Sequence, residues 1–297
     1  AGHALFNSNR DPVENHTKQL LKFLILPLAL GAIVALAALH QRQPDFLLHA
    51  DFLDVGQGDA IFVQTFLGRQ MLIDGGPGDA VLSQLGSVMP FFDRTLDAIM
   101  LTHPDADHVS GLVDVLRRYQ VKNIILTGAT APTAADQQFE QAARAEGARL
   151  LYVHTGDRIW LDQSTVFDVY WPLNLPADYN GPTNETSIMG KLSFGRTSIM
   201  FTGDADASAE QAVTDMFNVN ADILKVSHHG SKTSSTAPFL SEVSPAYAVI
   251  EVGAHNTYGH PAPETLAALS QAGSQILRTD QDHTVKFVSD GSRLYRP

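Results

Sequence analysis

A chain of 297 residues, 44% of them hydrophobic, is long enough for one large domain with its own core. The absence of cysteine excludes a disulfide framework and a thiolate metal site, so a bound metal must be held by His, Asp, Glu or water. A net charge of −12, with 12 histidines counted as neutral, argues against a broad basic surface for nucleic acid, but not against a local phosphate site charged by metal ions.

Residues 1–19 are polar and mixed and read as a tail or loop. The first residue is not methionine, so the chain is read as a fragment or a processed product. From Leu20 to Leu39 the sequence is apolar, broken by Pro27 and Gly31, with Lys22 near enough to one end to snorkel. Residues 20–40 are therefore read as a transmembrane helix, with a signal peptide and a buried core helix as competing readings. Arg10, Lys18 and Lys22 precede this run and only Arg42 follows closely. The positive-inside rule then places residues 41–297 outside the cytoplasm, attached to the inner or cell membrane. The first 40 residues carry a net +1, which leaves −13 on that exported part.

Leu47–Val55, Ala60–Phe66 and Gln70–Ile73 read as a strand meander, the last strand ending at Asp74 before a Gly75-Gly76-Pro77-Gly78 loop. Helix-like segments follow at about 79–88, 109–119, 134–146, 206–217, 234–243 and 262–272. Apolar strands intervene at Asn123–Leu126, Leu150–Val153, Ser187–Phe194, Thr197–Phe201, Asp222–Val226 and Tyr247–Val252. This order predicts two packed sheets covered by helices, an α/β (α+β) domain spanning 41–297.

The centre of the pattern is Thr102-His103-Pro104-Asp105-Ala106-Asp107-His108, four potential metal ligands within six residues at the end of an apolar run. In extended backbone His103, Asp105 and Asp107 stand at i, i+2 and i+4 and point the same way, with His108 beside them as the chain turns into a helix. Ligand-capable residues end further apolar runs at Asp74, Asp204 and the pair His228-His229, and His260 follows in Tyr258-Gly259-His260-Pro261. Strands that end this way deliver several ligands to one sheet edge. Lys225, Ser231 and Lys232 flank the histidine pair and are read as candidate phosphate contacts at the start of the next helix, against a plain helix cap as the alternative.

The string His103 to His108 resembles the HxHxDH motif of the metallo-β-lactamase superfamily, with Asp105 at the second histidine position. Phe52-Leu53-Asp54-Val55-Gly56-Gln57-Gly58-Asp59-Ala60 resembles the opening of that domain in ComEC-type DNA-uptake competence proteins. Asp74-Gly75-Gly76-Pro77, Thr202-Gly203-Asp204-Ala205, Leu224 to Ser231 and Asn256 to Pro261 continue the match in order, over about residues 47–297. The resemblance implies an αββα sandwich preceded by membrane segments, and a pair of divalent metal ions. By that analogy His103 and Asp105 hold one ion, Asp107 and His108 the other, and Asp204 bridges them. His228, His229 or His260 completes the second site, with the choice open among the three. Asp107, Asp204 and His229 are the residues expected to carry catalysis. Asp74 stands behind the ligands as a hydrogen-bonding support, and Asn184 occupies the place of another superfamily histidine. Replacing imidazoles by oxygen ligands favours Mn²⁺, with Zn²⁺ or Mg²⁺ as alternatives.

Three functions fit these features. The first is a nuclease hydrolysing DNA, single-stranded by preference, in a membrane DNA-uptake protein with other uptake proteins as partners. It would degrade the strand that is not imported. The second is a hydrolase of a small substrate, a phosphoester or a lactone. The third is a non-catalytic module that binds or gates DNA.

Overall fold

In the computed structural model the described residues are 12–41 and 45–297, apart from 176–178 and 180. The N-terminal tail expected at 1–19 lies outside them up to residue 11. Pro12–Gln41 forms one helix, α1, which carries Pro27 in its interior. Its side chains are described from 22 to 36, and all of them are exposed, Phe23 and Leu26 by 79% and 74%. Among the described residues no helix is long and apolar enough to cross a membrane. The ends of the span expected at 20–40 lie outside the described side chains.

The second compact unit comprises Pro44–Met89 and Asp93–Pro297. In chain order it runs β1 (Leu48–Phe52), β2 (Ile61–Gln64), β3 (Gln70–Ile73), α2 (Ala80–Val88), β4 (Thr95–Leu96), β5 (Ala98–Met100) and α3 (Ala106–Arg118). It continues through β6 (Gln120–Val121), β7 (Asn123–Leu126), α4 (Ala134–Glu146), β8 (Arg149–Tyr152), β9 (Arg158–Trp160) and β10 (Thr165–Trp171). Then come β11 (Met189–Phe194), β12 (Thr197–Phe201), α5 (Ala207–Met216), β13 (Ile223–Lys225), α6 (Ala237–Val243) and β14 (Tyr247–Ile250). The last elements are α7 (Pro263–Gln271), β15 (Gln275–Arg278), α8 (Thr279–Asp282), β16 (Val285–Ser289) and β17 (Leu294–Tyr295).

The strands form an eight-stranded sheet, β17-β16-β1-β2-β3-β5-β7-β8, and a seven-stranded one, β15-β14-β13-β12-β11-β10-β9. Period-two alternation assigns the faces. In β3, Met71 and Ile73 point into the layer between the sheets, while Leu72 points out beneath Leu85 of α2 and Leu112 of α3. In the second sheet Ile199 and Phe201 point in, whereas Met200 and Leu224 pack outward under Val213 of α5 and Leu240 of α6. Phe52, Phe167 and Phe201 join the two sheets, with the Phe201 ring 6.4 Å from Phe52 and 5.8 Å from Phe167. The result is the expected helix, sheet, sheet, helix sandwich.

Each half also contains a parallel run, β3-β5-β7-β8 and β12-β13-β14-β15. Parallel strands end on the same side, and ligand sites in such sheets gather beyond those carboxyl ends. Asp74 follows β3, His103 follows β5, Asp204 follows β12, and His228-His229 follow β13. Topology thus brings the separated motifs to one edge.

Candidate metal centre

Helix α3 starts earlier than the sequence predicts. Asp105 is its N-cap and Ala106 its first residue, so Asp107 and His108 are neighbours within the first turn. The expected extended alternation of His103, Asp105 and Asp107 therefore does not hold through Asp107. The early start depends on two glycines. A Cβ on Gly111 of α3 would lie 1.8 Å from the Gly75 carbonyl oxygen, and one on Gly58 would lie 2.1 Å from the Asp107 carbonyl oxygen. Only bare backbone lets the 56–59 turn and the Gly75-Gly76 loop close on the helix.

Three buried histidines then meet around Asp204. The Asp204 carboxylate lies 3.4 Å from His108 Nε2, 3.6 Å from His229 Nε2 and 3.9 Å from His103 Nε2. The half-exposed ring of His228 adds a fourth Nε2 at 3.7 Å. Asp107 stands 3.2 Å from His229 Nε2 and 4.0 Å from His108 Nε2, and Asp105 stands 3.7 Å from His103 Nε2. His103, His108 and Asp204 form one compact donor group, and Asp107, His108 and His229 another.

Each of the three buried rings is held by its other nitrogen. His108 Nδ1 donates to Asp74 at 2.9 Å, and His229 Nδ1 donates to the Glu251 carbonyl at 2.9 Å. The Thr102 hydroxyl donates to Asp74 at 2.6 Å and so accepts from His103 Nδ1 at 3.0 Å. Among the described residues Nε2 of His103, His108 and His229 and Oδ1 of Asp204 are buried without a hydrogen-bond partner. Leaving buried polar atoms unpaired costs about 1–3 kcal/mol each. Four converging on one point fit divalent cations, with the Nδ1 partners fixing tautomers that leave each Nε2 lone pair free.

Three residues of the cluster also carry backbone strain. Asp74, His228 and His229 have φ of +56°, +49° and +51°, a region non-glycine residues rarely occupy. Asp74 is held there by the Thr102 amide at 2.8 Å, the Thr102 hydroxyl and His108. Asp206 caps α5 by accepting from the Ser208 and Ala209 amides, which fixes Asp204 two residues upstream. Glu210 of α5 accepts from the Ser235 and Thr236 amides and ties that helix to the loop after His228-His229.

Electrostatics follow the crowding of carboxylates. Burial opposes charge on His229, but Asp204 and Asp59 outweigh it and push the ring up to about 10. His108 likewise rises well above the usual imidazole range, because Asp204 and Asp74 overcome burial. Burial and the charge of His108 lower His103 instead. Burial would raise Asp204, yet His229 and His108 hold it well below the usual carboxylate range. The cluster demands positive charge, which protons or cations can supply.

The superfamily profile for metallo-beta-lactamases matches residues 53–255. The chain belongs to the metallo-β-lactamase superfamily. It is 33% identical over 255 residues to ComE operon protein 3 of Bacillus subtilis, covering 80% of this chain and 32% of that protein. It is 28% identical over 278 residues to the competence protein ComA of Neisseria gonorrhoeae, covering 89% and 37%. The chain thus spans about a third of the length of these relatives. Among solved structures, the metallo-β-lactamase fold protein YhfI from Bacillus subtilis superposes with a TM-score of 0.53 at 14% identity, over 78% of this chain and 95% of that one. CmlA, a diiron β-hydroxylase from Streptomyces venezuelae, gives 0.52 at 15% identity, over 84% and 54%. These likenesses establish the metallo-β-lactamase fold, which is that of a hydrolase superfamily with candidate His and Asp metal sites in this chain.

Within this metallo-β-lactamase domain the remaining expected site residues fall into three groups. Asn184 approaches His228 Nδ1 at 3.4 Å, and Asp105 accepts from the Thr183 hydroxyl, so the 183–186 turn backs both side chains. His260 packs edge-on to His228 with centroids 5.6 Å apart and joins none of the compact donor groups. The expected phosphate cluster needs correction. Lys225 is 1% exposed and points inward to Asp59 at 2.6 Å, so it offers nothing to a substrate. Ser231 is buried and its hydroxyl meets that of Thr233, while exposed Lys232 does not line the cleft.

Sequence reasoning passed over Asp59, Thr102 and Glu251. Asp59 lies 3.2 Å from His229 Nδ1, and Lys225 then His229 draw it down to about 2 against the opposing effect of burial. Glu251 is fully buried behind His229, accepts from the Ala60 amide at 3.0 Å, and is raised well above its usual range by burial and by Asp59. Its position at the end of an apolar run is the same signal that marked Asp74 and Asp204.

Proposed function

We propose that this chain is the metal-dependent hydrolytic domain of a DNA-uptake protein, cleaving phosphodiester bonds in single-stranded DNA. One ion would be held by His103, Asp105, His228 and Asp204, the other by Asp107, His108, His229 and Asp204. Mn²⁺ is the proposed ion because three carboxylates accompany the imidazoles, with Zn²⁺ or Mg²⁺ as alternatives that reconstitution separates. The observation that carries this reading is the convergence of three unpartnered, buried Nε2 atoms on Asp204. Similarity to competence proteins supports DNA as the substrate.

A pair of divalent cations held there would supply positive charge for the phosphodiester and lower the pKa of water. The chain's own residues orient and shield. Asp74 and Thr102 lock the rings of His108 and His103, and the Glu251 carbonyl locks that of His229. Asp107, the least buried carboxylate beside His229, lines the cleft and is the proposed proton acceptor. The cleft, about 120 Å³, is lined by Gln57, Asp105, Asp107, Asp204, His228, His229, Tyr258 and His260, with no lysine or arginine among the described residues. Affinity for an anionic strand must then come from the bound cations.

The missing lysine and arginine, with the small volume, favour a second reading, a hydrolase of small phosphoesters or lactones. Membrane attachment through residues 20–40, an extracytoplasmic position for 41–297 and contact with other uptake proteins complete the proposal. The apolar, exposed side chains of α1 support the attachment.

The test is digestion by the full chain, reconstituted with Mn²⁺, Mg²⁺ or Zn²⁺, of labelled single- and double-stranded DNA, a small phosphodiester and a lactone. Cleavage fastest on single strands with Mn²⁺ is expected. Turnover of a small substrate without DNA degradation would establish the second reading, and tight metal-independent DNA binding without cleavage would make the domain a gating module.

A further inference from the structure

The cleft has one aromatic residue that no metal role absorbs. Tyr258 lines it together with Asp105, Asp107 and Asp204, yet its side chain is 69% exposed. A large exposed ring beside a polar cleft gains nothing for folding, since its apolar faces stay in water. Among the described residues its hydroxyl has no hydrogen-bond partner, whereas the buried tyrosine Tyr170 reaches a backbone carbonyl.

The loop that carries it is braced at its base. The Asn256 amide donates to the carbonyls of Gly253 and His260 at 2.9 and 2.7 Å, and its oxygen accepts from the His260 amide at 3.0 Å. The Gly253 amide donates to Gln57 at 3.2 Å, tying the loop to the 56–59 turn. The Ala262 amide donates to the Gly230 carbonyl at 2.8 Å, tying it to the segment that presents His228 and His229. These bonds anchor the backbone on both sides of Tyr258 beside the donor cluster. Its ring runs nearly parallel to that of His260, at 14° with centroids 6.0 Å apart, and His260 in turn abuts His228.

We propose that Tyr258 is a stacking platform for a planar nucleobase adjoining the phosphodiester at the donor cluster. The inference rests on the nuclease reading. Stacking suits this site because the cleft offers no lysine or arginine among the described residues, and every base offers a π-face regardless of sequence. The phosphate would be held by the cations and the neighbouring base by Tyr258, which gives affinity for DNA without sequence preference.

The test compares the native chain with Tyr258→Ala and Tyr258→Phe, reconstituted with Mn²⁺, on two single strands of equal length. One strand carries bases, including a 2-aminopurine reporter, and the other is abasic sugar-phosphate throughout. Tyr258→Ala should raise KM for the base-bearing strand about 10-fold with kcat changed less than about twofold, and Tyr258→Phe should restore the native KM. Fluorescence of 2-aminopurine should be quenched on binding to the native and Phe proteins and not to the Ala protein. All three proteins should treat the abasic strand alike. An equal KM change on both strands, or native KM and quenching in Tyr258→Ala, would overturn the stacking role while leaving the nuclease reading intact. Turnover of a small phosphodiester with neither strand cleaved would overturn both.

Discussion

The ammonium of Lys225 lies 2.6 Å from the carboxylate of Asp59, and both side chains are almost wholly buried, directly behind His229. The pair joins two motifs 166 positions apart, the 56–59 turn and the end of β13. Burial opposes charge on the Lys225 ammonium, but Asp59 foremost, with Glu251 and Asp204, outweighs it, so the pair stays charged inside the sandwich. Removing one partner leaves a buried charge without compensation.

Lys225→Met should therefore lose about 3–5 kcal/mol of stability. Asp59→Asn should also destabilise, and the double variant should lose clearly less than the sum of the single changes. Urea unfolding of the four proteins measures the cycle. Additive losses would show that the two residues act independently.

Asp74→Asn should weaken metal binding about 10–100-fold while keeping the circular dichroism of the native fold. The carboxylate receives the Thr102 amide, the Thr102 hydroxyl and His108 Nδ1, and an amide cannot accept all three. Titration calorimetry with Mn²⁺ reads the change. Native affinity in the variant would mean that Asp74 only shapes the backbone at its positive φ.

Asp51 gives a pH signature away from the donor cluster. Burial raises it from 3.8 to about 6, against the lowering effect of Lys286 and then His49, and its carboxylate accepts no hydrogen bond among the described residues. The folded state thus favours the neutral acid. Its contribution to stability is fully present below about pH 4 and is lost as pH rises through about 6. Asp51→Asn should remove that slope, gaining on the order of 2–3 kcal/mol relative to the native chain between about pH 4 and pH 8. Chemical unfolding across that range measures it, and parallel curves for the two proteins would contradict the assignment.

The sandwich was readable in sequence because period-two strands and amphipathic helices leave a local imprint, as in Met71, Leu72 and Ile73. Strands β3, β7 and β12 stand where the apolar runs place them. Edge strands such as β9 and β17 were not readable, being short and half-exposed. Asp74, His103, His108 and Asp204 could be singled out because each follows an apolar run beside small residues. What local sequence does not carry is direction. Nothing near Lys225 shows that it turns inward to a carboxylate from the first meander, and nothing near His229 shows that its ring, and not that of His260, meets Asp107. The start of α3 at Ala106 likewise depends on Gly58 and on the Gly75 carbonyl that packs against Gly111, both from elsewhere in the chain.

Metal content measured together with cleavage tests the central claim most directly. The metal-stripped chain is dialysed against Mn²⁺, and the same samples are given an end-labelled single strand. Two ions should bind per native chain, with cleavage following the second. Asp204→Ala should hold fewer ions and not cleave, and His103→Ala should lose mainly one. Cleavage at the native rate in a chelator, or native metal content in Asp204→Ala, would contradict a two-metal centre built on Asp204.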